Sequence, residues 1–330
     1  MFPQLTSLQK FSYTTFPSHS CKETQTNKGL KFNPLWLTGF IDGEGCFHIS
    51  IYKNNNKIGW AVKLIFEIRL HVRDKVLLEK IQNYFQAGNL FIASNDGISF
   101  RIQSTKDLAK LIAHLDKYPL KTQKFSDYIL FKEVFNLILN KEHLTISGLH
   151  KIVAIKASMN LGLSESLQAA FTNIIPISRP VVNNLPIEPE WFAGFASAEG
   201  CFFVNIFNSL THKLKVGVQL EFSLSQHKRD ELLMKGLIEF LKCGNVHSHN
   251  NACYYRIGNL LGITENIIPL FKNYPILGEK AKDFSDFCEV AEMIKVKKHL
   301  TEEGLTQIRK LKAGMNTGRS KSTGCNGLEK

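Results

Sequence analysis

Residues 36–47, WLTGFIDGEGCF, return 155 positions later as residues 191–202, WFAGFASAEGCF. Further matches continue at an offset of 156. They pair His71, Arg73 and Asp74 with His227, Arg229 and Asp230, Gly88-Asn89 with Gly244-Asn245, Tyr118-Pro119 with Tyr274-Pro275, Lys124 with Lys280, His143-Leu144-Thr145 with His299-Leu300-Thr301, and Met159-Asn160 with Met315-Asn316. Matches this numerous and nearly in register indicate a tandem duplication of a unit of about 125 residues.

The duplication divides the chain into five segments. We expect a flexible leader at 1–32, a first repeat at 33–170, a linker at 171–187, a second repeat at 188–318 and a flexible tail at 319–330. The linker contains Pro176, Pro180 and Pro186, and proline-rich stretches are typical of extended connections. Two copies in one chain should pack as a pseudo-dimer, with the same element of each copy at the two-fold axis.

Each repeat has the pattern of an α+β unit. Asn33-Pro34 is typical of a helix start, and the helix is expected to run to Glu44 and end at Gly45. The second copy should run from Glu188-Pro189 to Gly200. In the first repeat we expect strands at 46–53, 61–71, 89–94 and 98–104, and further helices at 74–85, 106–115, 123–139 and 146–161. The fold class is therefore two pseudo-symmetric αββαββα-type units, each with a mainly antiparallel four-stranded sheet, packed through the repeated helices.

Composition limits the functional classes. The 330-residue chain carries a net charge of +12 and a pI near 9.3, which favours a polyanionic partner but also fits a basic enzyme with a solvated surface. Seven cysteines without a C-x-x-C pair argue against a disulfide framework and a structural zinc site, and indicate a reducing compartment. No apolar run reaches the roughly 18 residues of a membrane span, so we expect no membrane partner.

The repeated helices carry an acid at an unfavourable place. Glu44 and Glu199 lie in the last turn, where the helix dipole is negative, and an acid at this place in both copies suggests compensation by a cation. If the helices pair through their small residues, the two carboxylates and the terminal carbonyls of Gly43 and Ala198 converge, and hard oxygen ligands of this kind suit Mg²⁺. Metal ions held there beside a phosphodiester would support hydrolysis. Asp42 has Ser197 as its counterpart, so we expect it to make a hydrogen bond near the helix pair and not to bind metal.

Residues Leu37 to Gly45 and Phe192 to Gly200 resemble the two signature helices of LAGLIDADG homing endonucleases. The resemblance covers roughly residues 33–318 and is closest to the single-chain enzymes encoded by fungal mitochondrial introns. Tyr118-Pro119-Leu120 with Lys124, the stretch 141–145 and the stretch 298–301 also resemble that subfamily.

The resemblance implies a site-specific enzyme that acts as a monomer on a long double-stranded DNA target in the mitochondrion. It implies cleavage of both strands across the minor groove with short 3′ overhangs, and metal binding by Glu44 and Glu199. We expect Mg²⁺ as cofactor, with Mn²⁺ able to substitute and Ca²⁺ binding without supporting cleavage. Lys124 and Lys280 match positions near the cleavage centre, where they would stabilise phosphate charge; the alternative is a solvated surface lysine.

The open faces of the two sheets are the expected DNA-binding surfaces, because a sheet in the major groove presents alternate side chains to the base edges. In the first repeat the candidates are Cys46, His48, Ser50, Tyr52, Lys63, Ile65, Glu67, Arg69, Asn89, Phe91, Ser99, Arg101 and Gln103. In the second they are Phe203, Asn205, Phe207, Gln219, Glu221, Ser223, Ser225, His247, His249, Tyr254 and Arg256. Because the two sets differ, the target should be asymmetric. The alternative for each residue is a merely solvated side chain.

Two other functions remain open at this point. A maturase, which helps RNA splicing on the same fold, would bind RNA and would not need the acids, although both are present. A DNA-binding protein that has lost cleavage is the other. The first thirty residues are poor in acids and are either a transit peptide or a leader with no targeting role.

Overall fold

The structure is a computed structural model that describes residues 32–93, 95–182 and 185–316. The expected tail at 319–330 and all of the expected leader except Phe32 lie outside these residues. Within them, no helix is both long and apolar enough to span a lipid bilayer.

The two repeated stretches form 11-residue helices, α1 (Pro34–Glu44) and α7 (Pro189–Glu199), as predicted. The side chain of Asn33 caps α1 by accepting from the backbone amides of Leu35 at 2.9 Å and Trp36 at 3.3 Å. Glu188 makes no such bond at the start of α7. Both helices begin on a proline, whose missing N–H has no partner to lose at the first helical position.

The remaining strands follow in the same order in both repeats, and the helices around them correspond in part. In the first they are β1 (Gly45–Lys53), β2 (Trp60–His71), α2 (Lys75–Phe85), β3 (Asn89–Ile92), β4 (Gly97–Ile102), α3 (Thr105–Lys117), α4 (Lys124–Leu139), α5 (Ile146–Ala157) and α6 (Glu165–Ala170). In the second they are β5 (Gly200–Asn208), β6 (Val216–His227), α8 (Glu231–Leu241), β7 (Asn245–His249), β8 (Ala252–Ile257), α9 (Leu260–Gly262) with a π-helical turn Ile263–Ile267, α10 (Ile268–Asn273), α11 (Lys280–Lys295) and α12 (Glu302–Ala313).

Each repeat builds one antiparallel four-stranded sheet, ordered β1-β2-β4-β3 and β5-β6-β8-β7. The α+β fold class and its two-repeat architecture are confirmed. One face of each sheet is apolar and covered by helices: the rings of Phe47 and Phe131 lie 5.3 Å apart under the first sheet, and those of Phe202 and Phe287 lie 5.3 Å apart under the second. The opposite faces remain open.

The expected helix at 146–161 is too long, because α5 ends at Ala157. The chain leaves the helix through Asn160, which has a φ of 48°, and the Asn160 side-chain amide donates to the carbonyl of Phe47 at 2.9 Å. Asn316 does the same in the second repeat, with a φ of 52° and a 3.1 Å bond to the carbonyl of Phe202. The repeated Met-Asn pair is therefore a helix stop that is bonded to the first strand. The short α6 was not foreseen.

The described part of the expected linker packs against α4. Arg179 donates to Asp127 at 2.9 Å and to the carbonyl of Ser158 at 2.6 Å. Ser126 donates to the carbonyl of Pro180 at 2.6 Å. Residues 171–182 and 185–188 contain neither helix nor strand. Side-chain hydrogen bonds therefore hold this segment against the first repeat. The segment boundaries themselves stay a prediction.

Backbone contact between α1 and α7 joins the repeats. A Cβ atom at Gly39 would overlap the carbonyl oxygen of Trp191, and a Cβ at Gly194 would overlap that of Trp36. The contact is thus reciprocal, as expected for two copies related by a two-fold axis. The first strand of each sheet begins directly after its helix. The helix contact therefore brings together the two points at which a helix passes into a sheet.

Candidate active site

The carboxyl ends of α1 and α7 abut. A Cβ at Gly43 would overlap the Cβ of Ala198 and would lie 3.2 Å from the Cγ of Glu199. Glu44 and Glu199 are half-buried beside this contact. The two acids and the two terminal carbonyls therefore lie at one place, between the two sheets.

The surroundings of Glu44 favour its neutral form. Burial and then the charge of Glu199 raise the pKa of Glu44 to about 7, although Lys280 and Lys124 oppose the rise. A carboxyl with this pKa is half protonated near neutral pH when no cation is bound. A divalent cation would replace that proton and relieve the repulsion between the two acids.

Both predicted lysines reach the helix ends. Lys124 is the first residue of α4, and its Nζ donates to the carbonyls of Gly43 at 2.7 Å and Ile41 at 3.2 Å. Lys280 is the first residue of α11, and its Nζ donates to the carbonyl of Ala198 at 2.5 Å. Burial lowers the pKa of both lysines, and the nearby acids oppose this. These contacts contradict the alternative of solvated surface lysines.

A cavity of about 340 Å³ opens beside Glu44 and combines both repeats. Its lining includes Glu44 and Asp74 from the first repeat together with Ala198 and Lys280 from the second. The charge that opposes the rise in the Glu44 pKa most strongly is that of Lys280 and not that of Lys124. The charge of Glu44 is thus balanced chiefly by the lysine of the opposite repeat, although each lysine hydrogen-bonds the helix end of its own repeat.

The donor set fits a hard cation. The carbonyls of Gly43 and Ala198 each accept from a lysine, but a carbonyl oxygen has a second lone pair. Across the described ranges, no three His, Cys, Asp or Glu side chains are grouped so as to hold a metal ion. A metal at Glu44 and Glu199 would therefore complete its shell with carbonyls, water and phosphate oxygens, which suits Mg²⁺.

Asp42 has the hydrogen-bonding role predicted for it. Its carboxylate is 2% exposed and accepts from Trp191 Nε1 at 2.8 Å, from the amides of Lys121 at 2.8 Å and Thr122 at 3.1 Å, and from the Thr122 hydroxyl at 2.6 Å. It locks the two helices to the loop before α4. Ser197 makes the simpler contact in the second repeat, accepting from the amide of Leu277 at 3.1 Å.

Most predicted DNA-facing residues of the first sheet lie on its open side. His48, Tyr52, Lys63, Arg69, Asn89 and Phe91 are exposed, and Cys46, Ser50, Ile65, Glu67, Arg101 and Gln103 are half-buried. Ser99 is the exception, since it is 4% exposed. Its place in the strand alternation puts it on the open face of the sheet, but its neighbours cover it and it hydrogen-bonds Glu67. Ser99 is therefore not available to a base.

The second sheet is more open. Phe203, Phe207, Gln219, Ser225, His247, His249 and Arg256 are exposed, and Asn205, Glu221, Ser223 and Tyr254 are half-buried. The Arg256 guanidinium lies over the ring of Tyr254 at 5.4 Å, the separation of a cation–π contact. Lys312 from α12 lies over the ring of Phe203 at 5.3 Å, and sequence reasoning did not select it.

Two acidic residues near the centre also received no role from the sequence. Asp74 and Asp230 each bond the backbone of the opposite repeat, at Glu279 and Gln123 respectively. Their only signal in the sequence was the repeated His-x-Arg-Asp motif, which alone does not reveal a partner.

Comparison with known proteins agrees with this architecture. The sequence model of the LAGLIDADG endonuclease family matches residues 37–135 and 192–291. A relative from Neurospora crassa named probable intron-encoded endonuclease 3 is 41% identical over 289 residues, which cover 86% of this chain and 54% of the relative. The chain thus spans about half the length of that relative.

Solved structures match over nearly their whole length. The crystal structure of the LAGLIDADG homing endonuclease I-SmaMI bound to cleaved DNA is 43% identical with a TM-score of 0.86, and the match covers 88% of this chain and 98% of that one. I-SmaMI bound to an uncleaved DNA target in the presence of calcium ions is 43% identical with a TM-score of 0.85, over 87% and 99% of the two chains.

Proposed function

Because the chain belongs to the LAGLIDADG endonuclease family, we propose that it is a site-specific homing endonuclease that makes a metal-dependent double-strand break in a long asymmetric DNA target. The observation that carries the proposal is the meeting of Glu44 and Glu199 at the abutting ends of α1 and α7, between two open polar sheets. One acid comes from each repeat, so one phosphodiester on each strand would be hydrolysed. The short 3′ overhangs that we propose rest on the resemblance to the family.

Glu44 and Glu199, with the carbonyls of Gly43 and Ala198, would hold Mg²⁺, which when bound supplies an activated water and stabilises the leaving oxygen. We expect Mn²⁺ to substitute and Ca²⁺ to bind without supporting cleavage. The Nζ groups of Lys124 and Lys280 lie beside the same carbonyls and would stabilise the charge that develops on the phosphate. Their partial burial strengthens that interaction, because less water screens it.

The open faces of the two sheets would bind the target. Arg69, Arg101 and Arg256 could read guanine, and Gln103 and Gln219 adenine. Loop lysines such as Lys53 and Lys213 would contact phosphates and add salt-dependent affinity. The two faces carry different residues, which supports an asymmetric site bound by a monomer.

We propose that the protein acts in the mitochondrion, in keeping with the resemblance to enzymes of fungal mitochondrial introns and with the few acids in its first thirty residues. An RNA-binding maturase activity would make no use of the paired acids. Loss of cleavage when the paired acids are substituted therefore distinguishes a nuclease from a maturase.

The test is a selection of cleaved sites from a randomised duplex library with Mg²⁺, followed by assays of the recovered duplex. The Glu44→Gln and Glu199→Gln variants should lose at least about 10³-fold in cleavage rate, because several kcal/mol of metal-derived stabilisation is lost. Binding measured in Ca²⁺ should persist. The exposed Glu239→Gln serves as the matched control and should cut normally. Continued cleavage of both strands by the two site variants would refute the assignment.

A further inference from the structure

The repeated His-x-Arg-Asp motif forms a turn after the second strand of each sheet. It lies in the 3-10 turns Val72–Asp74 and Lys228–Asp230, which lead into α2 and α8. Asp74 and Asp230 occupy the N-cap positions of those helices. An aspartate there ordinarily accepts a hydrogen bond from its own helix, but neither residue does so.

Both carboxylates instead bond the opposite repeat. Asp230 accepts from the backbone amide of Gln123 at 2.6 Å, and Asp74 accepts from that of Glu279 at 2.7 Å. Gln123 and Glu279 are the N-cap residues of α4 and α11. Each aspartate therefore satisfies the amino end of a helix from the other half of the chain.

The helices held in this way are the ones that begin with the two lysines. Lys124 directly follows Gln123, and Lys280 directly follows Glu279. A shift at either N-cap residue would be passed through one peptide unit to the lysine whose Nζ lies on a carbonyl beside the paired acids. Asp74 also lines the cavity that contains Glu44 and Lys280.

The packing around the motif leaves little freedom. Asp230 is 4% exposed. Near Asp74, Gly278 has a φ of 76°, and a Cβ there would lie 2.6 Å from the Asp74 carboxylate oxygen. The turn before Lys280 is therefore seated directly on the aspartate of the first repeat.

We propose that Asp74 and Asp230 are positioning residues that place the lysine of the opposite repeat, Asp74 acting on Lys280 and Asp230 on Lys124. The proposal rests on the role in cleavage proposed above for the two lysines. It makes the two halves of the centre mutually dependent: a defect in one repeat's motif impairs the other repeat's lysine.

The first test uses the protein without DNA. Lysine accessibility is measured by trace labelling with an amine-reactive reagent and mass spectrometry on wild type, Asp74→Ala and Asp230→Ala. Asp230→Ala should raise labelling of Lys124 about tenfold, the factor that one lost hydrogen bond supplies, and leave Lys280 nearly unchanged. Asp74→Ala should show the reverse. The two variants are thus matched controls for each other.

The second test measures nicking of each strand of the selected duplex under single-turnover conditions. Asp230→Ala should slow the same strand as Lys124→Ala by about tenfold, with DNA binding in Ca²⁺ unchanged. Adding Asp230→Ala to Lys124→Ala should cost little more, whereas adding it to Lys280→Ala should multiply the two effects. Asp230→Asn keeps an oxygen acceptor for the Gln123 amide and should restore the rate.

A purely structural role would raise labelling of both lysines together and slow both strands, and that result would overturn the proposal. So would unchanged labelling in both alanine variants. If the wild-type protein cuts no duplex, the proposed function fails and the labelling result alone decides the inference. If the lysine variants lose cleavage while the aspartate variants do not, only the inference fails.

Discussion

The same place beneath each repeated helix holds different chemistry in the two repeats. In the first, the His114 ring lies between the Thr38 hydroxyl, 3.1 Å from Nε2, and the Tyr84 hydroxyl, 3.0 Å from Nδ1. In the second repeat Thr38 corresponds to Ala193, at an offset of 155. Tyr84 and His114 correspond to Phe240 and Leu270, at an offset of 156. A buried polar network in one copy corresponds to an apolar cluster in the other.

The helix contact next to this place did not diverge. Gly39 and Gly194 make reciprocal approaches to the backbone of the opposite helix. A core position can change its chemistry if volume and hydrogen bonding are kept, whereas a backbone-to-backbone contact leaves no space for any side chain. The residues beneath the two helices can therefore differ between the repeats, whereas the residues at the contact between the helices must stay small in both.

The largest expected effect tests the part that stayed symmetric. Gly39→Ala and Gly194→Ala should each lower the free energy of unfolding by at least about 3 kcal/mol, because the new Cβ would overlap a backbone carbonyl that cannot rotate away. The losses should be similar, and both are measured by urea unfolding followed by circular dichroism.

Gly236→Ala is the control for these two variants. It lies inside α8, and among the described residues beyond its own helix the new Cβ would meet, within 4 Å, only the end of the Ile187 side chain at 3.7 Å. Helix propensity should then stabilise the protein by up to about 1 kcal/mol. A mild effect at Gly39 with a severe one at Gly194 would show that the helix contact is not reciprocal.

The second prediction concerns the network found only in the first repeat. Burial lowers the pKa of His114 to about 4, and its side chain is 7% exposed. An unfolded histidine titrates near pH 6.5, so its stabilising contribution is complete above that pH and is lost as the pH falls toward 4. The loss in the free energy of unfolding between pH 7 and pH 4 should be roughly 3 kcal/mol from this residue.

The control transplants the second repeat into the first. Thr38→Ala, Tyr84→Phe and His114→Leu together install the apolar cluster, and urea unfolding at several pH values compares this triple variant with wild type. The difference in slope between the two proteins isolates His114 from all other titrating groups. Equal slopes would mean that the buried ring is not responsible.

The sequence was sufficient for features encoded by repetition and alternation. The helix bounds at Pro34 and Glu44 follow from capping residues, and the role of Asp42 follows from its pairing with Ser197. Local pattern did not predict that Ser99 is covered by its neighbours, because burial depends on the strands paired beside it. Nor did it predict the partners of Asp74 and Asp230, which lie more than a hundred residues away.

The third prediction uses another asymmetric pair. Asp42→Ala leaves four donors from Lys121, Thr122 and Trp191 without an acceptor and should cost about 2 kcal/mol more than Ser197→Ala, which removes one acceptor. Thermal and urea unfolding of both variants provide the measurement. Equal losses would show that the Asp42 network does not fasten the helix pair more strongly than the Ser197 contact.

The smallest effect is expected on the open sheets, where the two repeats present an arginine in matching rows. Arg101 is opposite Glu67 and bonded to it at 2.9 Å, whereas Arg256 is opposite Ser223 and lies 3.8 Å from Glu221. A guanidinium already bonded to a carboxylate has less to gain from a base edge. Arg256→Ala should therefore weaken binding of the selected duplex in Ca²⁺ about tenfold, and Arg101→Ala only about threefold. Glu67→Gln should increase the contribution of Arg101 to duplex binding. If, in the wild-type background, Arg101→Ala weakens binding more than Arg256→Ala does, the predicted order of the two arginines is wrong.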